Sequence, residues 1–135
     1  AHDGYLGDSV IGSWCNLGAG TSNSNVKNTG GAVTFELPSG EKFSAGNKAG
    51  LILGDYSRTA INTSIYTGTW AGICCNIFGN EIPATTIPHF SWNKETYRID
   101  KAITDISNWK QIKRQRLNEE ESIVLKNLHK NLTSK

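Results

Sequence analysis

The sequence predicts an all-β solenoid built from six-residue repeats and followed by an α-helical tail. Three positions of one phase, Tyr5, Ile11 and Leu17, lie six residues apart. After a gap the same phase returns in a second series: Leu53, Thr59, Ile65, Ala71 and Ile77. A six-residue period matches neither an amphipathic helix, whose apolar face recurs every three or four residues, nor a strand that simply alternates.

Small side chains accompany this phase two residues earlier. They are Ser9, Cys15, Ser57, Thr63, Thr69 and Cys75. Each hexad is therefore expected to form one short strand, with its aliphatic side chain inward, its small side chain beside a corner, and Gly7, Gly12, Gly18 or Gly54 allowing the bend. Stacked coils would bury an apolar column that no single repeat could bury alone. The alternative is an irregular glycine-rich β-sandwich with chance spacing.

The composition limits the class of protein. With 135 residues and a net charge of +2, the chain has room for one domain. It contains no 18-residue apolar run and no signal-peptide pattern, so we expect a soluble, cytoplasmic protein without a membrane partner. It also contains no methionine. Because the repeat is already under way at residue 5, we expect an excised C-terminal piece of a longer protein.

The three cysteines cannot all pair with one another. Cys15 and Cys75 occupy small inward positions, which predicts reduced packing residues in a reducing compartment. Cys74 adjoins Cys75, but no second pair and no suitably spaced histidine completes a zinc site. We therefore expect neither a bound metal nor a nucleophilic thiol.

The chain changes character near residue 93. Lysine and arginine number four against six acidic residues before this point and ten against six after it, and the tail has no glycine. We therefore divide the chain into a β-helical domain, residues 1–92, and a helical extension, residues 93–135, that packs on or beside it. Within the first part, residues 21–31 are predicted to form a loop leaving the coil, and residues 38–42 link strand-like runs at 32–37 and 42–45.

The tail has helical periodicity. A first apolar stripe comprises Ile99, Ala102, Ile103, Ile106 and Trp109. Asn118 before three glutamates predicts an N-cap, and a second helix is expected to bury Val124, Leu125, Leu128 and Leu132. We expect these helices to cap or flank the solenoid and to shield a sheet edge. The basic residues Lys110, Lys113, Arg114 and Arg116 are expected on a solvated helix face rather than on nucleic acid.

The opening motif carries a family resemblance. The run from His2 to Asp8 (His-Asp-Gly-Tyr-Leu-Gly-Asp), then Ile11-Gly12, then the run from Asn16 to Thr21 (Asn-Leu-Gly-Ala-Gly-Thr) resembles the acetyltransferase domain of the bifunctional glucosamine-1-phosphate N-acetyltransferase and N-acetylglucosamine-1-phosphate uridyltransferase family. The resemblance is specific over about the first 25 residues. It implies a left-handed parallel β-helix, a homotrimer with active sites between subunits, and acetyl-coenzyme A as co-substrate.

The resemblance also implies roles for single residues. His2 falls on the catalytic base, Tyr5 and Asn16 on contacts to the amino-sugar phosphate, and Ala19 and Asn25 on contacts to acetyl-coenzyme A. The chain departs from the family where Val26 replaces a tyrosine, and the family's basic residues for the sugar phosphate lie upstream of residue 1. The paired tail helices resemble those of related bacterial proteins described as sugar nucleotidyltransferases.

The chemistry explains why these residue types suit acetyl transfer. The sugar amine must lose a proton as it attacks the thioester, and imidazole titrates near neutral pH. An amide side chain such as that of Asn16 or Asn25 is suited to stabilise the oxyanion. His89 and His129 lack motif support and are expected on the surface or in packing. Trp70 and Trp92 are expected to be buried against the coil or the tail, the alternative being that they line a pocket.

Each of these residues also has an ordinary interpretation. His2 fits a surface histidine or a tag remnant, Tyr5 an inward aromatic, Asn16 a corner residue, and Ala19 a tight place in the coil. Two functions therefore stay open. One is an N-acetyltransferase with His2 as base, which the intact opening motif favours. The other is a non-catalytic β-helix that oligomerises or regulates a sugar-phosphate nucleotidyltransferase domain, which Val26 favours.

Overall fold

The computed structural model describes residues 3–78 and 84–134. Its strands are β1 (Val10–Ile11), β2 (Asn16–Leu17), β3 (Ser22–Asn23), β4 (Thr34–Glu36), β5 (Lys42–Ser44), β6 (Leu51–Leu53), β7 (Arg58–Thr59), β8 (Ser64–Ile65), β9 (Thr69–Ala71), β10 (Asn76–Ile77), β11 (Thr86–Ile87), β12 (Ser91–Trp92) and β13 (Glu95–Thr96). Helices α1 (Ile99–Ile112) and α2 (Glu119–Thr133) follow. Within the described residues no helix combines the length and apolar character needed to cross a membrane.

Most strands lie in three parallel sheets. Sheet A pairs β3 with β8, sheet B has the order β1-β6-β9-β11, and sheet C has the order β2-β7-β10-β12 with β13 added antiparallel at its edge. From β1 to β12 consecutive strands of this set fall in different sheets, so the chain makes repeated circuits: β1-β2-β3 and β6-β7-β8 each pass through sheets B, C and A, and β9-β10 and β11-β12 each pass again from sheet B to sheet C. Between the second and third circuits the chain returns to the same row after 18 residues, from Arg58 to Asn76. The parallel pairing that the resemblance implies is confirmed for the described strands of sheets A, B and C, apart from β13.

The predicted inward phase lines the space enclosed by the sheets. Its core consists of Leu51, Leu53, Ile65, Ala71, Cys75, Ile77 and Ile87, with Ile11, Cys15 and Leu17 packed against it. Thr59 is buried, and its hydroxyl lies 2.9 Å from that of Thr21. Tyr5 is the exception, because 53% of it is exposed. The interpretation of Tyr5 as an inward aromatic is therefore wrong.

The small residues of the repeat form hydrogen bonds as well as fitting the corners. The hydroxyls of Thr63 and Thr69 each donate to the carbonyl three residues earlier, at 2.7 Å, and the Cys75 thiol does the same at 3.4 Å. Ser57 is fully buried; it donates to the Gly72 carbonyl at 2.8 Å and accepts from the Cys75 amide at 2.9 Å. These bonds satisfy corner backbone groups that face an apolar interior.

The corners share a backbone conformation. The residue immediately before each of the six small residues, and before Thr21 and Ser91 at two further corners, has a left-handed φ between 48° and 79°. These corner residues are Asp8, Trp14, Gly20, Tyr56, Asn62, Gly68, Cys74 and Phe90. Two of them are glycines, and the others adopt a conformation that L-residues reach only at some cost.

The glycines to which the sequence assigned the bends have a different role. Gly7, Gly12, Gly18 and Gly54 do not have a positive φ. A Cβ on Gly18 would lie 2.4 Å from the Ala60 carbonyl carbon, and a Cβ on Gly54 would lie 2.6 Å from that of Gly72. The assignment of the bends to these glycines is therefore wrong: Gly12, Gly18 and Gly54 allow close approach between successive circuits, and Gly7 leaves room for the Tyr5 ring.

A long excursion interrupts the circuits between β3 and β6. The predicted loop at residues 21–31 begins too early, since Ser22 and Asn23 form β3 and pair with β8. The predicted runs at 32–37 and 42–45 are confirmed as the antiparallel hairpin β4–β5. Val33, Phe35 and Ala49 pack against Ile52 and Trp70, so the hairpin covers the outer face of sheet B.

The tail helices pack against the corner between sheets B and C. Ala102 and Ile106 of α1 and Leu125 of α2 share a core with Cys74 and Phe90. The helices therefore flank the sheets, while the antiparallel strand β13 covers the edge of sheet C that a helix was expected to shield. The N-cap is confirmed, because Asn118 Oδ1 accepts from the Glu121 amide at 2.8 Å.

The predicted buried face of α2 is only partly correct. Leu125 is buried and Leu128 packs beside the shared core. Val124 and Leu132 are 55% and 42% exposed. The helix meets the sheets along a narrower stripe than its apolar sequence indicates, because it contacts a corner rather than a broad face.

Of the four basic residues predicted on a solvated helix face, Lys113, Arg114 and Arg116 are exposed but follow the end of α1, and Lys110 lies on α1 but is not solvated. It is 6% exposed, and its Nζ lies 2.5 Å from Glu121 Oε2. The ammonium also lies 4.7 Å from the ring centre of Trp14 and 5.5 Å from that of Tyr56. Burial alone would lower the pKa of Lys110, but hydrogen bonds to Glu121 and Tyr56 outweigh it and raise that pKa. Lys110 thus joins α1 to α2 and to the corner.

Gly54→Ala tests the close approach of successive circuits. The added methyl would meet the Gly72 backbone, which has no flexible end to move, so we expect the free energy of unfolding in urea to fall by about 1–3 kcal/mol. Gly31→Ala is the matched control, because its Cβ would meet only the exposed Thr29 hydroxyl, at 3.3 Å. Equal unfolding midpoints for the two variants would contradict the close approach.

Glu121→Gln tests the ion pair between the buried Lys110 and the half-buried Glu121. The change leaves the Lys110 ammonium without its carboxylate, so we expect a loss of about 1–3 kcal/mol in the free energy of unfolding at neutral pH. The hydrogen bond from Lys110 lowers the pKa of Glu121 below its ordinary 4.5. The greater stability of the parent protein relative to Glu121→Gln is therefore complete above pH 4.5 and is lost as the pH falls through the lowered pKa of Glu121.

Glu119→Gln is the control for this pair, since Glu119 shares the first turn of α2 and is exposed. The interaction would be refuted if both variants unfolded alike at pH 7, or if the deficit of Glu121→Gln persisted unchanged in acid.

Candidate functional site

Four polar residues form a surface group, which we call the Tyr5 cluster: Tyr5, Asp8, Asn25 and Lys48. Asn25 Nδ2 donates to the Tyr5 hydroxyl at 3.1 Å and to the Asp8 carboxylate at 2.7 Å. Lys48 Nζ lies 4.0 Å from the same carboxylate. The excursion supplies Lys48 just before it rejoins sheet B, and Asn25 follows β3, so the cluster joins the first circuit to the ends of the excursion.

A buried amide holds the backbone beneath the cluster. Asn23 is 5% exposed; its Oδ1 accepts from the Gly7 amide at 2.9 Å and its Nδ2 donates to the Gly7 carbonyl at 3.0 Å. The Tyr5 ring lies against Gly7, where any Cβ would clash with the phenol. Sequence reasoning missed Asn23, although it continues the phase of Tyr5, Ile11 and Leu17 as a polar residue at an inward position.

Ala19 lies at the opposite end of β3 from Asn25. Its carbonyl accepts from the Asn62 amide at 2.8 Å, and the neighbouring Gly20 amide donates to the Asp3 carbonyl at 2.6 Å. Tyr5 forms a parallel bridge with Ser22 of β3. The structure therefore places Tyr5, Ala19 and Asn25 around one strand. His2, the predicted base, lies outside the described residues.

Asn16 lies elsewhere. It belongs to β2, so it is not a corner residue, and it pairs in register with Arg58 on sheet C. Both residues line a cavity of about 370 Å³, which we call the sheet C cavity. The other lining residues are Thr59, Ala60, Asn76, Phe78, Trp92 and Trp109. Within one chain the structure thus separates Asn16 from the Tyr5 cluster.

The thiols are packing residues rather than reactive groups. Burial raises the pKa of Cys74 to about 12 and that of Cys75 to about 11, so both stay protonated at neutral pH. Cys15 is a free thiol whose Sγ donates to the Gly54 carbonyl at 3.1 Å. Among residues 3–78 and 84–134, no histidine, cysteine and carboxylate side chains group in a way that would hold a metal ion.

The two described histidines are engaged in packing, as the sequence indicates. His89 Nδ1 accepts from the Ile73 amide at 3.0 Å, its ring meets Trp70 edge-on at 5.2 Å, and burial lowers its pKa. His129 Nε2 lies 2.9 Å from the Tyr97 carbonyl, to which it donates. Neither imidazole belongs to the Tyr5 cluster or lines the sheet C cavity. Trp70 is covered by the hairpin, whereas Trp92 lines that cavity.

Known proteins similar to this chain share one name. No protein-family model matches the sequence. The chain is 37% identical over 71 residues to the bifunctional protein GlmU of Methanococcus vannielii, a match that covers 53% of the chain and 17% of the relative. It is 34% identical over 74 residues to GlmU of Methanocaldococcus jannaschii, covering 55% and 18%.

A third relative extends the match. GlmU of Methanococcus aeolicus is 32% identical over 87 residues, covering 60% of the chain and 21% of the relative. The matches span about a fifth of the length of these relatives. More than half of this chain is therefore a region related to the bifunctional protein GlmU.

Proposed function

We propose that the chain is the acetyltransferase part of a larger sugar-phosphate nucleotidyltransferase and acetyltransferase. It transfers an acetyl group from acetyl-coenzyme A to the amine of an amino-sugar phosphate such as glucosamine 1-phosphate. The observation that carries the proposal is the 3.1 Å hydrogen bond between Asn25 and Tyr5, because it brings an expected contact to acetyl-coenzyme A beside an expected contact to the sugar phosphate. Similarity to GlmU over more than half of the chain supports the same class.

The fold that we propose for the chain is a left-handed parallel β-helix over residues 1–92 with a helical extension over residues 93–135. The cyclic order of the three sheets and the 18-residue return from Arg58 to Asn76 support it. A stack of parallel circuits is a rigid support, and ligand contacts then lie on corners and excursions rather than in the apolar interior. A cytoplasmic location completes the proposal.

The residues of the Tyr5 cluster orient the substrates. Asp8 and Tyr5 both receive hydrogen bonds from Asn25 Nδ2, which fixes the amide, and the Lys48 ammonium provides positive charge 4.0 Å from Asp8 for the phosphates of either substrate. Aligning a thioester and an amine removes much of the entropic barrier to their reaction. Binding by fixed side chains thus accounts for part of the expected rate.

His2 is the proposed base. It takes the proton that the amine loses as the tetrahedral centre forms, a role suited to imidazole near pH 7. Asp3 follows it in sequence, and the Asp3 carbonyl accepts from the Gly20 amide beside Ala19, so the chain after His2 is attached to the corner at one end of β3. The proposal therefore puts proton transfer beside Ala19.

The proposal includes a homotrimer with each active site between two subunits. Asn16 faces the sheet C cavity while Tyr5 lies beside sheet A, so one chain does not bring the two expected sugar contacts together. Apposition of two copies would allow Asn16 of one protomer to approach Tyr5 of its partner. A shared site explains why two contacts for one small ligand lie on different faces.

A second function is favoured by two observations. The Val26 side chain, 43% exposed, stands where the family has a tyrosine, and Asn16 occupies a cavity of its own. Both fit a non-catalytic β-helix that oligomerises or regulates a sugar-phosphate nucleotidyltransferase domain. Binding of acetyl-coenzyme A discriminates between the two functions.

Acetyl-coenzyme A should raise the thermal midpoint of the protein. A ligand present at ten times its dissociation constant stabilises the native state by about 1.4 kcal/mol, which gives a shift of several degrees. Asn25→Ala should reduce the shift, whereas Asn28→Ala, an exposed change in the same excursion, should not. No shift at millimolar acetyl-coenzyme A would favour the non-catalytic function.

In the full-length protein, His2→Ala should lower the rate of acetyl transfer to glucosamine 1-phosphate by roughly 10²- to 10⁴-fold. The affinity for acetyl-coenzyme A and the oligomeric state should stay unchanged, since the base does not hold the cofactor. Added imidazole should restore part of the rate by supplying the missing base. Turnover equal to that of the parent protein would remove His2 from the mechanism.

A further inference from the structure

We propose that the sheet C cavity binds a small oxyanion, a carboxylate or phosphate, attached to a single ring that packs against tryptophan. The proposal goes beyond acetyl transfer and does not depend on it, because the residues that carry it are Arg58, Asn76, Trp92 and Trp109, none of which has a role in that reaction. Asn16 lines the same cavity and is the only residue shared with the proposed acetyltransferase site.

Arg58 is the first observation. It is 7% exposed, and its Nη2 donates to the Tyr97 hydroxyl at 3.3 Å. Within residues 3–78 and 84–134 no ion pair involves its guanidinium. A guanidinium carries five N–H donors and stays charged at every pH that a protein tolerates. Burying such a group without an anion is costly, so the cavity wall holds a positive charge that an incoming anion would neutralise.

The neighbouring charges do not cancel that of Arg58. The Tyr97 hydroxyl donates a hydrogen bond to the Asp105 carboxylate. Asp105 also forms an ion pair with Lys101 at 3.5 Å. Asp105 therefore pairs with Lys101 and is linked to Arg58 only through the Tyr97 hydroxyl. Lys101 Nζ also lies 4.9 Å from the ring centre of Trp92, a residue that lines the cavity. In the part of the chain that the structure describes, residues 3–78 and 84–134, no carboxylate pairs directly with Arg58, so the guanidinium leaves a positive charge at the cavity wall.

The row of sheet C that contains Arg58 supplies polar groups on both sides. Asn16 and Asn76 are its register partners on the two neighbouring strands. Their amides can donate to an oxyanion bound at the guanidinium and accept from hydroxyls of the attached group. An arginine between two amides is a recognition surface for a planar or tetrahedral oxyanion.

Aromatic side chains form the rest of the cavity. Trp92 continues the same row, Phe78 packs edge-on against it at 5.1 Å, and α1 adds Trp109, whose ring centre lies 6.0 Å from the Arg58 guanidinium carbon. Aromatic walls favour a ligand that has a ring over a ligand that has an extended chain, because the flat faces of the side chains bury more apolar surface against a ring. The volume of about 370 Å³ falls at the small end of ligand sites, which suits one ring and one acid group.

Tryptophan fluorescence tests the proposal, because Trp92 and Trp109 line the cavity. The probes are phenyl phosphate, cyclohexyl phosphate and inorganic phosphate, none of which resembles the amino-sugar acceptor, titrated into the intact chain at constant ionic strength. We expect saturable changes in emission with phenyl phosphate or cyclohexyl phosphate, and binding at least about tenfold weaker with inorganic phosphate, which lacks the ring. Comparison of the first two probes distinguishes an aromatic ring from a saturated ring. No saturable change with any probe would overturn the proposal.

Asn76→Asp is the sharpest variant. It replaces the side-chain NH2 group of Asn76 with an oxygen of the same size, so the variant should fold. The new carboxylate pairs with the Arg58 guanidinium in place of a ligand and should weaken probe binding by at least about tenfold. Arg58→Gln should weaken binding by a similar factor. Arg116→Gln, an exposed change of the same kind in the tail, is the control and should bind as the parent does.

The outcome is independent of the acetyltransferase proposal. If Asn76→Asp folds and binds the probes as the parent does, the cavity does not recognise oxyanions through Arg58. If acetyl-coenzyme A fails to bind while phenyl phosphate still binds and Asn76→Asp abolishes that binding, the acetyltransferase proposal falls and the sheet C cavity remains an anion site.

Discussion

Hydrogen bonds from small side chains to corner carbonyls are the constraint on which the rest of the structure depends. A strand of two or three residues gives little pairing energy, and each corner interrupts the pairing, so the backbone carbonyls there need other partners. Thr63, Thr69 and Cys75 satisfy these groups three residues back, and Ser57 joins two circuits. A larger side chain at these positions would fill the corner, and an aliphatic one would leave the carbonyl unpaired.

The left-handed corner residues decide where the tail can bind. At the corner between sheets B and C they are Trp14, Tyr56, Cys74 and Phe90, one for each circuit. This column presents aromatic and sulfur surface outside the sheets, and α1 and α2 cover it through Ala102, Ile106 and Leu125, with Lys110 over two of the rings. Because α1 packs at this corner, Trp109 lies at the outer face of sheet C and forms one wall of the cavity beside Arg58.

Local periodicity made much of this fold predictable. The inward phase, the small residues, the hairpin and the N-cap at Asn118 all rest on spacings of a few residues, which the sequence displays directly. The burial of Lys110 and Arg58 was not predictable in this way, because each depends on partners brought from a distant segment: Glu121 and the rings of Trp14 and Tyr56 for one, Tyr97 and Trp109 for the other. Of the expected site, Tyr5 and Asn25 meet, whereas Asn16 occupies another face because β2 belongs to sheet C.

The reversal of direction at β13 has a consequence for self-association. Parallel strands added one after another have no intrinsic stopping point, so a stack of circuits could in principle grow into a filament by recruiting identical molecules. Here the row of donors and acceptors along β12 is occupied by a strand running the opposite way, and that strand is only two residues long and exposed on both positions. An incoming parallel strand finds no matching template on this side of sheet C, which keeps longitudinal polymerisation in check without any cost to the interior.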